Sequence, residues 1–442
     1  MSKNALLTLL ILIGLVAGAL FGEYILFPSG QVGGDHWTKQ LGDLILIRPL
    51  KLLVIPLIFF SVVSGITRIG DPSRLGLVGG ATIIYYITTM LLAVILGTAL
   101  VSWVAPGVSP HDQQLALISQ GEAAFNDSTN LQSKVSNQTM GSAWTNILRQ
   151  LIPDNVIKEM SHGRPLGVIV FAIGFGLALA WGRERTKAAR KVMDACFEGM
   201  MIFVQWIIWL TPIGVFFLVS WSVGQLGLTN IAGPIGKYML VVLVGLAIHG
   251  LIVLPIVLTI FGRTNPYQFL WQMRRALLTA FGTDSSSATL PVTMDTAENE
   301  GRCSKRASNF VLPLGSTINM DGTALYEAVA VVFLFQLYGY DLSMVQLTIV
   351  VITATLAAIG AAGIPSAGLV TMVVVISAVN TSLAPTGVDP LPIAAIGIIL
   401  GVDRILDMCR TTVNVWGDAT GAKIISRLAP DEPVSDESDS NI

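Results

Sequence analysis

What constrains this chain most is a series of apolar runs long enough to cross a bilayer. They cover residues 5–27, 44–66, 78–105, 165–182, 198–220, 237–261 and 309–337. A helix needs roughly 20 predominantly apolar residues to span the hydrocarbon layer, and a soluble core has no use for so many. Composition agrees: of 442 residues, 53% are hydrophobic and 12% charged, whereas soluble domains carry about 25% charged residues. The chain reads as an all-α polytopic membrane protein. Its net charge of −2 argues against nucleic acid as a partner, since no basic stripe faces a phosphate backbone. Cys196, Cys303 and Cys409 show neither metal-ligand nor disulfide spacing. The opening MSKNALLTLLILIGLVAGAL runs on through LFGEYILF without a convincing cleavage site, so it reads as the first span rather than a signal peptide.

Positive charge gathers after even-numbered spans. Arg68 and Arg74 follow the second, and Arg183, Arg185, Lys187, Arg190 and Lys191 the fourth. Arg263, Arg274 and Arg275 follow the sixth, and Lys423 and Arg427 the last. The polar segment 106–160 is poor in Lys and Arg. The positive-inside bias then puts both termini in the cytoplasm and 106–160 outside, with eight full spans in the cell membrane. Trp37, Trp103 and Trp221 read as interfacial anchors, and His249, inside span six, as a packing histidine. Sequons at Asn126, Asn137 and Asn380 carry no weight. The end DEPVSDESDSNI reads as a disordered tail.

Two segments are neither spans nor loops. Residues 276–300, ALLTAFGTDSSSATLPVTMDTAENE, are apolar and then broken by Ser285, Ser286, Ser287 and Pro291. Residues 347–376 are apolar on both sides of GAAGIPSAG. Each reads as a re-entrant hairpin, two half-length helices meeting at a small-residue tip. Non-helical backbone is tolerated at membrane depth only where protein or a water-filled cavity satisfies it. The span 312–333, LPLGSTINMDGTALYEAVAVVF, places Asn319, Asp321, Gly322 and Thr323 at its centre, which suggests an unwound stretch. A hairpin followed by a polar span occurs twice, in 276–337 and 347–425, and paired interrupted helices point to a transporter site at a repeat interface.

The polar set LDMCRTTVNVWGD (406–418) has helical geometry. At about 100° per residue, with Asp407 at zero, Asp403 falls near −40°, Arg410 near −60°, Thr411 near +40°, Asn414 near −20° and Asp418 near +20°. One stripe about 100° wide carries all six, and it must face protein or water. An internal ion pair between Arg410 and Asp403 or Asp407 would satisfy the charges but leaves Thr411, Asn414 and Asp418 unexplained. Arg410 offers a planar fork for a carboxylate, Asp407 an acceptor for an ammonium, Asn414 a donor to a second carboxylate. Asp418 is a hard oxygen ligand for a small cation. An acidic amino acid presents just those partners.

SSSATLP (285–291), NMDGTALYEA (319–328), GAAGIPSAG (360–368) and DMCRTTVNVWGD (407–418) together resemble the dicarboxylate/amino acid:cation symporters, over essentially the whole chain. The resemblance implies a homotrimer with an elevator-like alternating-access movement and no enzymatic activity. It divides the chain into scaffold (1–76 and 161–235), transport domain (77–105 and 236–425), external insertion (106–160) and cytoplasmic tail (426–442). It implies that Arg410 binds the substrate side-chain carboxylate and Asp407 the ammonium, with Asn414 and Ser286 on the α-carboxylate. Thr323 and Thr411 add contacts, and Gly363, Ile364 and Gly368 close the second hairpin tip over the ligand. Members for neutral amino acids lack arginine at the Arg410 position, so glutamate or aspartate is expected, with a C4-dicarboxylate as the alternative.

For Na⁺, the resemblance implies one site from Gly315, Asn319, Asn414 and Asp418, and a second around Thr317 and the second hairpin. A third would use Tyr86, Thr89, Asn319 and Asp321. Met90 stands where relatives carry Ser or Thr, and thioether sulfur suits Na⁺ poorly. Glu327 occupies a position associated with proton carriage, so H⁺ stays open beside Na⁺; no other cofactor is implied. Asp284 and Met408 replace an arginine that many members carry near the substrate, and an Asp284–Arg404 pair is the expected substitute. An intramembrane protease lacks support: Asp321 and Asp418 sit in no YD/GxGD-type pairing, and no His or Lys is placed to activate Ser285–Ser287.

Overall fold

Among the described residues all regular structure is helical, which lets each segment satisfy its own backbone N–H and C=O groups in hydrocarbon. The computed structural model describes residues 3–29, 32, 36–69, 72–108, parts of 114–125, 153–162, 165–226, 233–359, 367–384 and 389–431. The tip residues Gly363 and Ile364, the sequons at Asn126 and Asn137, most of 106–160 and the tail beyond 431 lie outside them.

The helices that matter for the site are α1 (Lys3–Phe21), α2 (Arg48–Ile69), α3 (Pro72–Val104), α4 (Pro165–Trp181), α5 (Lys187–Ile208), α6 (Thr211–Leu226) and α7 (Gly233–Ile248). They continue with α8 (Pro266–Thr283), α9 (Ser286–Asn299), α10 (Lys305–Ile318), α11 (Asp321–Leu337), α12 (Met344–Ile359), α13 (Ala367–Leu383) and α14 (Gly397–Ile425). Among the described residues five stretches are long and apolar enough to cross a membrane: Leu6–Leu26, Trp37–Ser64, Gly76–Val104, Pro234–Gly262 and Lys305–Leu337. A sixth is added if the bent pair α5–α6 is one span. This is the architecture of a polytopic helical membrane protein. α14 is not among those stretches because its polar stripe dilutes an otherwise apolar helix.

The expected span 198–220 is not straight. α5 and α6 meet at a 57° bend. Pro212, at the second position of α6, has no N–H to continue the ladder from α5, and the start of a helix is where that loss costs least. Span six holds two π-helical turns, His249–Val253 and Leu258–Gly262.

Both interrupted segments form paired helices. α8 and α9 pack together across Asp284 and Ser285. Asp284 takes a left-handed conformation (φ 55°) that ends α8, and Ser285 caps α9 by accepting from Ala288 N at 3.1 Å. α12 and α13 pair likewise. Arg274 and Arg275, expected in a loop after span six, lie inside α8. Arg275 is buried because Asp295 of α9 pairs with its Nη2 and Glu300 stands 3.3 Å from its Nε.

The central span breaks where its polar residues suggested: α10 ends at Ile318, Asn319 and Met320 leave the helical region, and α11 starts at Asp321. Within Lys305–Leu337, 94% of the most apolar window is buried, against 28% in Leu6–Leu26. The broken helix is therefore the axis of the molecule, sheathed by α2, α3, α9, α12, α13 and α14.

Candidate substrate and cation site

α14 runs beside the break between α10 and α11 and lays its stripe against it. Asp403, Asp407, Arg410, Thr411, Asn414 and Asp418 are all buried, as the helical angles require. They divide into two groups.

The first surrounds Arg410, which is 1% exposed. Its Nε donates to Asp407 at 2.6 Å and its Nη1 to Asp403 at 2.9 Å. The guanidinium lies 4.0 Å from the centre of the Tyr326 ring, a cation–π contact, and the Tyr326 hydroxyl donates to Asp403 at 2.7 Å. Among the described residues only Nη2 is left without a partner. A Cβ at Gly368, the first turn of α13, would stand 3.6 Å from that Nη2 and 3.2 Å from Thr323 Cγ2. The second hairpin thus brings its glycine directly over the unpartnered edge of the arginine. Beside this group Arg404 Nη1 meets the buried Asp284 at 2.8 Å, the expected pair between hairpin tip and α14. Ser286, two residues further on, is buried at the start of α9, which packs on α14.

Asn414 joins the two groups. Its Oδ1 accepts from Gly322 N at 2.7 Å and Thr323 N at 3.4 Å, and its Nδ2 donates to Thr323 Oγ1 at 3.1 Å. It satisfies the first N–H groups of α11, which the break leaves without intrahelical acceptors.

The second group holds carboxylates without arginine or lysine. Asn319 Nδ2 donates to Asp418 at 3.0 Å, and Thr89 Oγ1 lies 3.4 Å from Asn319 Oδ1. Tyr86 donates to Val311 O at 2.6 Å. Two glycines mark how closely the parts approach. A Cβ at Gly315 would collide with Asp418 Oδ1 and lie 2.9 Å from the Tyr86 hydroxyl. One at Gly417 would sit 2.7 Å from Asp321 and 3.0 Å from Asn319. Tyr86, Thr89, Gly315, Asn319, Asp321 and Asp418, which the resemblance assigns to two cation sites sharing Asn319, lie close together. The donor set is mostly hard oxygen, which suits an alkali cation, and Met90 is packed in the core beside it. Among the described residues no three His, Cys, Asp or Glu side chains form a metal-binding group. Thr317 is buried two residues before Asn319, its hydroxyl donating to Leu314 O at 3.0 Å. The second hairpin's half of that expected site falls on residues outside the described ones. Glu327 stands apart on α11, fully buried and accepting from Thr371 of α13.

A model of the sodium:dicarboxylate symporter family matches residues 7–428. The chain belongs to that family. It is 38% identical over 458 residues to excitatory amino acid transporter 3 of Oryctolagus cuniculus, covering 96% of this chain and 84% of the relative. Excitatory amino acid transporter 1 of Ambystoma tigrinum is 37% identical over 429 residues, 88% of this chain and 77% of its own. Neutral amino acid transporter B(0) of Homo sapiens is 34% identical over 451 residues, 95% and 80% respectively. The protein is a cation-coupled transporter of the amino acid and dicarboxylate class, a multi-pass membrane protein and not an enzyme.

Three residues of this symporter stand differently from expectation. His249 is not mere packing: its Nε2 lies 3.2 Å from Asp321, both side chains fully buried. The π turn that starts at His249 swings it there, and Gly250 O accepts from Trp416 Nε1 at 2.9 Å. Trp221 is no interfacial anchor but is buried between Lys39 and Arg404, each 5.0 Å from its ring. Tyr326, inside NMDGTALYEA, joins the Arg410 group; its spacing of three from Thr323, on the same helix face, is the sequence signal for it.

Proposed function

We propose that this symporter takes up acidic amino acids, glutamate or aspartate, with Na⁺ as the coupling ion and H⁺ as its alternative. Support comes first from the relatives, which divide between excitatory and neutral amino acid transporters by name. Arg410 supports the reading with the former, because a buried guanidinium is wasted on a neutral side chain.

The observation that carries the reading is how Arg410 is held. Asp407 and Asp403 occupy two of its three nitrogens while the third is unpartnered beside Gly368. An incoming side-chain carboxylate takes that Nη2 and draws the fork from Asp407. The carboxylate so released is the acceptor that the substrate ammonium needs. One event therefore makes both contacts, and a dicarboxylate without an ammonium would take the arginine from Asp407 and offer it no cation in exchange. Losing the opposite charge of a buried pair costs on the order of 3–5 kcal/mol, which favours the amino acid over succinate. Asn414, Thr323, Thr411 and Ser286 receive the α-carboxylate, and Gly363, Ile364 and Gly368 close above it. Asp418, Asp321, Asn319, Asn414, Thr89, Tyr86 and the carbonyls near Gly315 and Thr317 hold Na⁺. Glu327 is the carrier if protons are coupled.

The wider frame follows the family resemblance. Eight spans and two re-entrant hairpins form a scaffold (1–76, 161–235) and a transport domain (77–105, 236–425) that moves as an elevator. The protein works as a homotrimer in the cell membrane with both termini cytoplasmic. The test is uptake of labelled aspartate, glutamate, succinate and alanine into proteoliposomes with imposed Na⁺ or pH gradients. Gradient-driven uptake of the acidic amino acids above the other two is expected. Preference for succinate or alanine contradicts the proposal.

A further inference from the structure

A cavity of about 280 Å³ lies behind α14, between it, α7 and α8. Leu243, Leu246, Phe281, Cys409, Val413 and Trp416 are among its walls. On the angular scale used above, Cys409, Thr412, Val413 and Trp416 fall about 140–240° from Asp407. The cavity therefore backs the same turns that carry Arg410 and Asn414.

Its polar atoms are already spent. The Thr412 hydroxyl donates to Met408 O at 2.9 Å, and Trp416 Nε1 donates to Gly250 O at 2.9 Å. A water needs two to four polar partners and finds none there, and an ion or amino acid fares worse. The space nonetheless exceeds anything close packing leaves behind. Two wall residues, Ala247 and Leu251, are exposed. They continue a line with Leu240 and Val244, 62% and 40% exposed, at spacings of four, three and four along span six. That line is the lipid-facing side of an apolar span, so the cavity mouth is continuous with the bilayer surface of the protein.

We propose that this cavity holds an acyl chain of a bilayer phospholipid, which braces the binding helix from behind. Hydrocarbon is what the mouth faces, and it fills an apolar space without leaving a polar group unpaired. The inference goes beyond the substrate assignment, and its test reads no transport.

Trp416 supplies the probe, since it lines the cavity and is only 2% exposed. The full chain is reconstituted into phosphatidylcholine vesicles with or without bromine on the acyl chains, and tryptophan emission is compared with that of Trp416→Phe. The difference signal isolates Trp416 from the other eight tryptophans of the chain. More than half of it should be quenched by brominated chains. Filling the mouth with Ala247→Phe, or more gently Ala247→Leu, should remove most of that quenching. A Trp416 signal untouched by bromine overturns the proposal, as would occupancy by protein. Quenching in folded Ala247→Leu and Ala247→Phe equal to that of the wild type overturns it too, because lipid would then reach Trp416 from elsewhere.

Discussion

The two polar groups on α14 are built from similar residues and solve opposite problems. Around Arg410, two carboxylates surround one guanidinium, so the group carries its own cation. Around Asp418, two carboxylates, Asp321 and Asp418, face Asn319, Thr89, Tyr86 and His249 with no lysine or arginine among them. Buried charge must be paired. On the proposed function, the first group holds Arg410 in an internal pair that substrate would displace, and the second would gain its pairing from a coupling cation. Asn414, bonded to Gly322 and Thr323 at the start of α11, would then serve both events.

The comparison breaks first at Arg410. Arg410→Cys should lower aspartate affinity by about 30-fold to several thousand-fold, the cost of truncating one partner of a buried charge pair. Competition binding on the purified protein should show neutral amino acids losing far less. Intact aspartate transport in that variant would show that the carboxylate contact is misassigned.

Asp418→Asn attacks the other group. It keeps the shape and the Asn319 neighbour but removes the charge. The Na⁺ concentration for half-maximal aspartate binding should rise roughly 10- to 100-fold, with affinity at saturating Na⁺ changed much less. An unchanged Na⁺ requirement would remove Asp418 from the cation site.

The smallest effect concerns the border of the first group. Asp284→Asn and Arg404→Ala should each reduce uptake several-fold. The reversed pair, Asp284→Arg with Arg404→Asp, should recover part of the loss through a coupling of roughly 0.5–3 kcal/mol. Strict additivity of the two reversed substitutions would mean the 2.8 Å pair does not act as a unit.

Much of this was readable before the structure because it is periodic or local. The α14 stripe follows from 3.6 residues per turn, and the break at Asn319–Met320 from polar residues and glycine inside an apolar run. What escaped the sequence depends on distant partners. Arg275 looks like a loop charge until Asp295, twenty residues on, is seen to neutralise it. His249 looks like packing because Asp321 is 72 residues away and a π turn brings them together. The bend before Pro212 was hidden inside a run that stays apolar across it. For the site itself, the residue types and even the internal pair of Arg410 with Asp403 or Asp407 were legible; the stripe did not say that both carboxylates would hold the arginine at once.

The central claim is that an acidic amino acid and Na⁺ occupy these two groups together. Calorimetric titration of aspartate into the purified wild-type protein across a range of Na⁺ concentrations, at constant ionic strength, tests it most directly. The account predicts that aspartate affinity climbs steeply with Na⁺ and collapses when choline replaces it. Equal affinity in Na⁺ and in choline would contradict it.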